Sequence, residues 1–294
     1  PHPAFEAYAT ETLPQAPVGA PGKDGVLELR FEATDAGTAL VHDYATAPFH
    51  VSGTLDHDPH PDAETVFVQS PTGGVAQGDR LDAEVIVGER AVAHVSTGGS
   101  TKVQSMTRNY AASETRLSVA EGGHLDYVPE PTIIHADARY CGTLHLDVAA
   151  DATVVVSDVV VPGRLARGER FDFERYFSRV TASGPDGLLF EDTTHLVPDE
   201  SDPTAPGVLG EFAVYGTAFV VVPGQDTTDL CDAVHDAVTD CEARAGATSL
   251  PNGAGLVVRA LGHRAETVRE ALAVAWNHAR RGLLGSAAPV GRKY

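Results

Sequence analysis

The chain runs to 294 residues with 43% hydrophobic side chains and a formal net charge of -20, so it can bury a sizeable core and is too apolar for a disordered polymer. A surface this acidic repels phosphate backbones, which excludes nucleic acid as a partner on charge alone. It contains no apolar run of about 18 residues or more, so no segment reads as a membrane-crossing helix.

Strand-like text begins at Val26. The run Val26-Leu27-Glu28-Leu29-Arg30-Phe31-Glu32 alternates apolar and polar residues with the period of two that a half-buried strand requires. Comparable stretches follow at Glu64–Gln69, Leu81–Val87, Ala91–Ser96, Thr115–Val119, Thr143–Val148, Thr153–Val159, Arg170–Ala182, Leu188–Leu196 and Glu211–Val222. Pro71-Thr72-Gly73-Gly74, Val87-Gly88-Glu89, Glu121-Gly122-Gly123 and Ser183-Gly184-Pro185-Asp186-Gly187 have turn composition and separate them. Closely spaced strands without helices between them favour an antiparallel or meandering β body over β-α-β units.

After Pro223-Gly224 the period changes. Leu230, Val234, Val238 and Cys241 fall at helical spacing, with Thr227 or Thr228 placed to cap the start. A loop at Ala247–Gly253 and a short strand at Gly255–Leu261 lead to a second helix over about Ala265–Leu284. One face of that helix carries Val268, Leu272, Ala275, Trp276, Ala279 and Leu283. The expected architecture is mainly β: one domain over residues 1–294, with a β body at about 26–222 closed by a helix-strand-helix tail at about 226–284.

The acidic residues are spread along the whole chain, and lysine occurs only at Lys23, Lys102 and Lys293. Either the acidity serves a basic partner or a cation, or it is an adaptation to a very salty cytoplasm. At about 1 M salt the Debye length is near 3 Å, so carboxylate self-repulsion is largely screened; the second explanation is the expectation. Pro1-His2-Pro3-Ala4-Phe5 has neither a basic nor an apolar leader region, so a soluble cytoplasmic protein is expected. Cys141, Cys231 and Cys241 show no C-x-x-C spacing and read as buried thiols.

Several segments invite a catalytic reading and do not sustain it. Thr97-Gly98-Gly99-Ser100-Thr101-Lys102-Val103 lacks the glycine before and the hydroxyl after the lysine that a phosphate loop needs. Gly73-Gly74-Val75-Ala76-Gln77-Gly78-Asp79 places an acid where a phosphate-binding lysine would stand. A G-x-S-x-G nucleophile elbow is absent. The segment Asp56-His57-Asp58-Pro59-His60-Pro61-Asp62, with His50 nearby, holds nickel- or zinc-type donors, but its prolines fit a stiff surface loop equally well. With 41 acidic residues, carboxylate pairs carry no information.

Gln69-Ser70-Pro71-Thr72-Gly73-Gly74-Val75-Ala76-Gln77-Gly78-Asp79-Arg80, the first of four segments in order, is similar to the S-P-T-G-G-x-x-x-G-D stretch of the UreD (also UreH) family of urease accessory proteins. Thr97–Val103 is similar to its T-x-G-x-T-K-V motif, with Gln104 where the family often has Tyr. Leu125-Asp126-Tyr127-Val128-Pro129-Glu130-Pro131-Thr132-Ile133-Ile134 resembles L-E-Y-L-P-x-P-x-I, with Asp126 in place of Glu and Ala138-Arg139-Tyr140 following. Gly163-Arg164-Leu165-Ala166-Arg167-Gly168-Glu169-Arg170-Phe171 matches G-R-x-x-x-G-E-x-F. The resemblance is close over residues 69–173 and loose over 1–60 and beyond Gly224.

The resemblance implies a non-catalytic scaffold that binds apo-urease and joins UreF-type and UreG-type accessory proteins. The UreG-type GTPase would bring nickel, which would cross the body of this chain transiently, with no tightly bound cofactor. Candidate structural or partner-binding residues are Ser70, Pro71, Thr72, Gly73, Gly74, Gly78, Asp79, Lys102, Tyr127, Pro129, Pro131, Arg139, Gly163, Arg164, Gly168 and Glu169. Pro71, Gly73 and Gly74 suit a tight turn. Lys102 is expected to pair with a carboxylate, Asp79 first. Arg139, Arg164 and Glu169 would share that network, face a partner, or form folding-related ion pairs. The alternative reading is a metal-dependent hydrolase on a β-barrel-like fold that uses inward histidines; a generic acidic binding module is a third.

Overall fold

The computed structural model describes residues 2–13 and 22–289. A 3-10 turn (Pro3–Phe5) runs into α1 (Glu6–Ala9). The strands follow as β1 (Asp24–Thr34), β2 (Gly37–Ala45), β3 (His50–Leu55), β4 (Ala63–Gln69), β5 (Arg80–Val87) and β6 (Val92–Thr97). Next come β7 (Thr101–Val103), β8 (Ala111–Val119), β9 (His124–Tyr127), β10 (Thr132–Ile134), β11 (Arg139–Val148) and β12 (Thr153–Val161). The hairpin β13 (Arg175–Gly184) and β14 (Gly187–Leu196) precedes β15 (Val214–Val221), α2 (Thr228–Thr239), β16 (Arg244–Ser249), β17 (Gly255–Gly262) and α3 (Ala265–Leu284).

The protein is mainly β with helices at its C-terminal end, as expected, but the strand pairing of the body differs from expectation. One sheet has the order β14-β13-β11-β8-β5-β1-β2; the other runs β16-β17-β15-β12-β9-β6-β4-β3, with β10 beside β12 and β7 beside β10. The neighbours β1, β5, β8, β11 and β13 are parallel, and so are β4, β6, β9 and β12. Antiparallel pairing is confined to the margins, as in β1–β2, β13–β14 and β12–β15–β17–β16. Parallel neighbours need a long crossover, usually a helix. Here the crossover from β5 to β8 includes β6, and that from β6 to β9 includes β8, so each sheet supplies the other's connections. The body is a coil of strands, and the glycine turns at Gly88 and Gly122 carry the chain between sheets rather than back along one.

Burial follows from this layering. The face between the sheets holds Leu29, Phe31, Val85 and Leu117 against Val95, Leu125, Val154 and Val221. The outer face of the first sheet stays open, so β1 and β5 alternate buried with half-exposed or exposed positions. The second sheet is covered on both faces, which is why β12 and β15 read as nearly unbroken apolar runs. Its outer face packs Val155, Val220 and Val258 against Val234 and Val238 of α2 and Val268, Leu272, Ala275 and Ala279 of α3.

Local details differ at the ends of elements. Thr227 stands at the N-cap of α2, as expected, but its side chain makes no capping bond; Asp226 instead accepts from the Thr228 backbone N–H at 3.0 Å and the Thr228 hydroxyl at 2.7 Å. The tail has two strands, because Arg244–Ser249, partly read as loop, pairs with β17 at the sheet edge. Small residues there lack the β-branched alternation that would mark a strand. The expected starts at Arg170 and Glu211 move to Arg175 and Val214. All three cysteines are free thiols, two buried and Cys241 half-buried.

Candidate functional site

The four sequence motifs meet at one end of the molecule. Since β4, β6, β9 and β12 are parallel neighbours, the segments leaving their C-terminal ends emerge side by side. Those segments begin near Ser70, Gly98, Val128 and Pro162, within or beside the motifs. Main-chain bonds lace them together. The Val75 N–H donates to the Lys102 carbonyl at 2.8 Å, and the Gln104 N–H donates to the Val75 carbonyl at 2.8 Å. The Thr101 N–H reaches the carbonyl of buried Pro131 at 3.0 Å, and β10 joins β7 to β12. Val75, Val103, Ile134 and Phe171, one from each motif segment or its edge, form a separate apolar cluster beneath.

Two glycines are required by these contacts. Gly74 has φ of +124°, and a Cβ there would lie 2.3 Å from the Lys102 carbonyl oxygen. Gly163, at φ +142°, would set a Cβ 2.3 Å from the Glu169 carbonyl oxygen. Both the left-handed backbone and the close approach exclude a side chain. Ser70, Pro71, Thr72 and Gly73 form the exposed tip of the first loop. The Gly78 N–H donates to the Tyr110 carbonyl at 3.0 Å, and Gly168 closes a 3-10 turn at Leu165–Arg167.

The charged motif residues separate into distinct clasps. Asp79 is fully buried; one carboxylate oxygen accepts from the N–H groups of Gly22 and Lys23 at 2.9 Å each, and the other accepts from Ala76 N–H at 2.8 Å. Its cation is Lys23, at 3.5 Å. Lys102 is exposed and makes no ion pair among the described residues, so the expected Asp79–Lys102 pair is replaced by Asp79–Lys23. Lys102 lies on β7, whereas Lys23 immediately precedes the strand that runs beside β5. Arg164 binds Glu169 at 2.5 Å, and Glu169 also accepts from Ala136 N–H at 2.9 Å. Although burial opposes it, these donors hold the Glu169 carboxyl below its ordinary range. Arg139 belongs to neither clasp: it binds Glu174 at 2.5 Å and Glu11 at 3.2 Å and lies over the Tyr8 ring, tying the N-terminal segment to β11. Phe5 of that segment is fully buried with Tyr110, Cys141 and Phe177, worth roughly 1.5–3 kcal/mol for the ring alone.

Below the motif end, between the sheets, is a cavity of about 190 Å³. Motif residues Tyr127 and Pro129 line it, with Thr101 and Thr132 from β7 and β10. Deeper in, the lining includes Thr115, Tyr140, Tyr176 and Ser178 from the first sheet and Asp158 from the second. Most of the lining is aliphatic or aromatic, including Leu27, Val85, Val95, Val156 and Phe219, but hydroxyl groups and the carboxylates of Asp158 and Glu130 also border the hollow, which has the volume for a few waters. Asp158 follows the inward parity of Val154 and Val156 on β12. Burial pushes its carboxyl up to about 6, restrained by hydrogen bonding from Tyr176 and the Val159 backbone. The Tyr215 hydroxyl is buried without a hydrogen-bond partner among the described residues. A carboxylate beside a few hydroxyl groups offers oxygen donors to a cation without closing a ligand shell around it.

A second polar cluster lies on the other face of the same sheet, under α3. The fully buried Arg280 guanidinium donates to both oxygens of Asp58, at 2.6 and 3.0 Å, and to Asp126. Trp276 Nε1 donates to Asp126 at 2.6 Å. His124 Nε2 stands 3.1 Å from Asp126 without hydrogen-bond alignment, while its Nδ1 is 2.5 Å from the Thr153 hydroxyl. Burial raises the Asp126 carboxyl, but His124 and Arg280 outweigh it and hold the group at about 2. Burial takes the neighbouring His94 down to about 4 against the opposing pull of Asp126 and Asp58. The Asp56–Asp62 loop therefore gives Asp58 to an internal ion pair. Its His60 N–H donates to Asp58 at 2.8 Å, and His60 Nδ1 accepts from the Asp62 N–H at 3.2 Å. Among the described residues, no three His, Cys, Asp or Glu side chains converge as metal ligands, and no helix is long and apolar enough to cross a membrane.

Sequence reasoning missed Asp158 and Arg280. For Asp158 a signal existed: a lone carboxylate inside the apolar run Thr153–Val161 sits where ionisable groups are rarely placed. Arg280 gave none, because its partners are 154 and 222 positions away.

Comparison with known proteins agrees with the motifs. The family model described as UreD urease accessory protein matches residues 23–293. A urease accessory protein UreD of Haloarcula marismortui is 71% identical over 294 residues, covering 100% of this chain and 98% of the relative. The protein of that name from Natronomonas pharaonis is 44% identical, over 99% of this chain and 98% of its own. That of Photorhabdus laumondii is 31% identical over 94% of this chain and 88% of its own.

Proposed function

This chain belongs to the UreD family of urease accessory proteins, and from that premise we propose that it is a non-catalytic scaffold through which nickel is delivered to apo-urease. Membership of the family gives it a role in urease maturation. The finer reading is that it assembles with UreF-type and UreG-type partners, that GTP hydrolysis belongs to the UreG-type protein, and that nickel crosses this chain as cargo without a resident cofactor. Its setting is the cytoplasm, and its acidity is an adaptation to salt.

The cavity is the observation that carries the proposal. A carrier must let go of its ion, so a mainly apolar hollow with scattered hydroxyls and the carboxylates of Asp158 and Glu130 suits transit better than a closed set of imidazoles and thiolates would. Its lining reaches the motif end through Thr101, Pro129 and Thr132, where partners would dock. The direct test is to express urease with its accessory proteins in the presence and absence of this chain and to measure nickel per urease active site. The proposal expects nickel-poor, inactive urease when the chain is missing; normal nickel content without it would end the proposal.

A further inference from the structure

Two motif residues remain that the cavity and the clasps do not use: Lys102, and Arg167 within Gly163–Phe171. Both side chains are exposed, and neither makes an ion pair among the described residues. The fold brings them to one place. Lys102 on β7 stands opposite Ile133 of β10. His135, two residues further, donates its N–H to the Val103 carbonyl at 3.0 Å. The next residue, Ala136, donates to Glu169, which holds Arg164, and the 3-10 turn Leu165–Arg167 lies between Arg164 and Glu169. Burial lowers the His135 pKa first, and the positive charges of Arg164, Lys102 and Arg167 lower it further, against Glu169. These main-chain and side-chain links place the β7 strand of Lys102 and the turn of Arg167 on either side of the His135–Ala136 segment.

We propose that Lys102 and Arg167, beside the Arg164–Glu169 clasp, form a cationic docking patch that receives a carboxylate-rich segment of a partner protein. In a chain of net charge -20, cations gathered at one point run against the general field. Of the nearby acids, Glu169 is engaged with Arg164 and Glu130 with Arg269 at 2.6 Å, Asp172 accepts from the Arg170 backbone N–H at 3.2 Å, and Asp137 is exposed. The patch is preorganised: β7 is held between the Val75 segment and β10, and the Arg164–Glu169 clasp fixes the turn that carries Arg167. Half-buried Ile133 and Leu165, packed against the helical layer, give it an apolar floor. A protein carboxylate is favoured over a phosphate. The Thr101 N–H is already spent on Pro131, so β7 lacks the row of free backbone donors that phosphate sites use, and the whole chain repels polyanions. At about 1 M salt only contacts within about 3 Å escape screening, so the patch works by direct contact rather than by steering.

The inference rests on the scaffold reading, and its test separates the two. The full chain is co-expressed with urease and its accessory proteins, recovered in molar KCl, and treated with a water-soluble carbodiimide, which joins a lysine amine to a carboxylate in contact with it. Peptide mass spectrometry is expected to find Lys102 in an amide with an Asp or Glu of a partner. The double variant Lys102→Glu/Arg167→Glu is expected to melt within a degree or two of wild type and to hold the partners about tenfold more weakly or less. An Arg at 102 (K102R) should restore binding while abolishing the cross-link. If wild type captures no partner, the scaffold reading fails. If wild type captures partners but the double variant does so equally well, or if inorganic phosphate displaces them and no Lys102 amide forms, the patch is overturned and the scaffold stands.

Discussion

Arg280, near the end of the last helix, and Asp58, in the loop between the third and fourth strands, meet through two hydrogen bonds of 2.6 and 3.0 Å. Both side chains are inaccessible to solvent, and Asp126 shares the guanidinium. The contact fastens α3, the second sheet and the 56–62 loop in one step. Removing one partner of a buried pair strands the other charge, at about 3–5 kcal/mol. Arg280→Ala is expected to lose about that much in denaturant unfolding, and adding Asp126→Asn should recover part of the loss. An Arg280→Ala protein as stable as wild type would mean that the carboxylates find other partners.

Asp79 and Lys102 provide a contrast within the motifs. Asp79 accepts three backbone N–H bonds and meets Lys23 while wholly buried, so Asp79→Ala orphans those donors and is expected to cost about 3–5 kcal/mol. Lys102→Ala removes an exposed, unpaired side chain and should stay within about 0.5 kcal/mol of wild type. Thermal melts of the two variants decide the matter. Equal losses would restore the Asp79–Lys102 pairing that the order of the motifs suggests.

Asp158 sets a pH dependence of known sign. Its folded pKa, about 6, lies above its ordinary value of 3.8, so its contribution to stability is present below that ordinary value and is lost as pH rises through about 6. Asp158→Asn should therefore stabilise the protein at pH 7, by a few kcal/mol at most, with the gain vanishing near pH 4. Melting temperatures at the two pH values test this. A gain that is the same at both would show that the carboxyl is not raised.

His94 works in the opposite direction. Its pKa is depressed to about 4, so the stability it contributes is complete above its ordinary value near 6.5 and drains away as pH falls toward 4. Replacing it by Phe, which keeps the aromatic contact with Trp276, should flatten the fall in melting temperature across that window. A slope unchanged by His94→Phe would assign the acid sensitivity to other groups.

What was legible in the residues depended on the distance over which each feature acts. The alternation in Val26–Glu32 and the helical spacing of Val234, Val238, Val268 and Leu272 are local, and the strands and helices they imply are present. Sheet membership is not local. A turn such as Val87-Gly88-Glu89 looks the same whether it folds a strand back beside its predecessor or hands the chain to another sheet, so the residues suggest an antiparallel or meandering body where the strands pair mostly in parallel. The motif order carried the family, while the partner of each motif charge depended on the fold: Lys23 and Lys102 lie 56 and 23 positions from Asp79, and the more distant one binds it. Asp158 was visible as an acid within an apolar strand, but its hydroxyl neighbours come from β8, β11 and β13, which only folding brings together.

The most direct measurement concerns the hollow itself. Ser178 lines the cavity from β13, on the sheet opposite the strand that carries Lys102, and Ser178→Leu would fill space without adding charge. With this variant in place of wild type, urease matured in cells should assemble with its accessory proteins as before yet carry several-fold less nickel per active site. A Ser178→Leu chain that folds, joins its partners and still yields fully nickel-loaded urease would contradict passage of the metal through this protein.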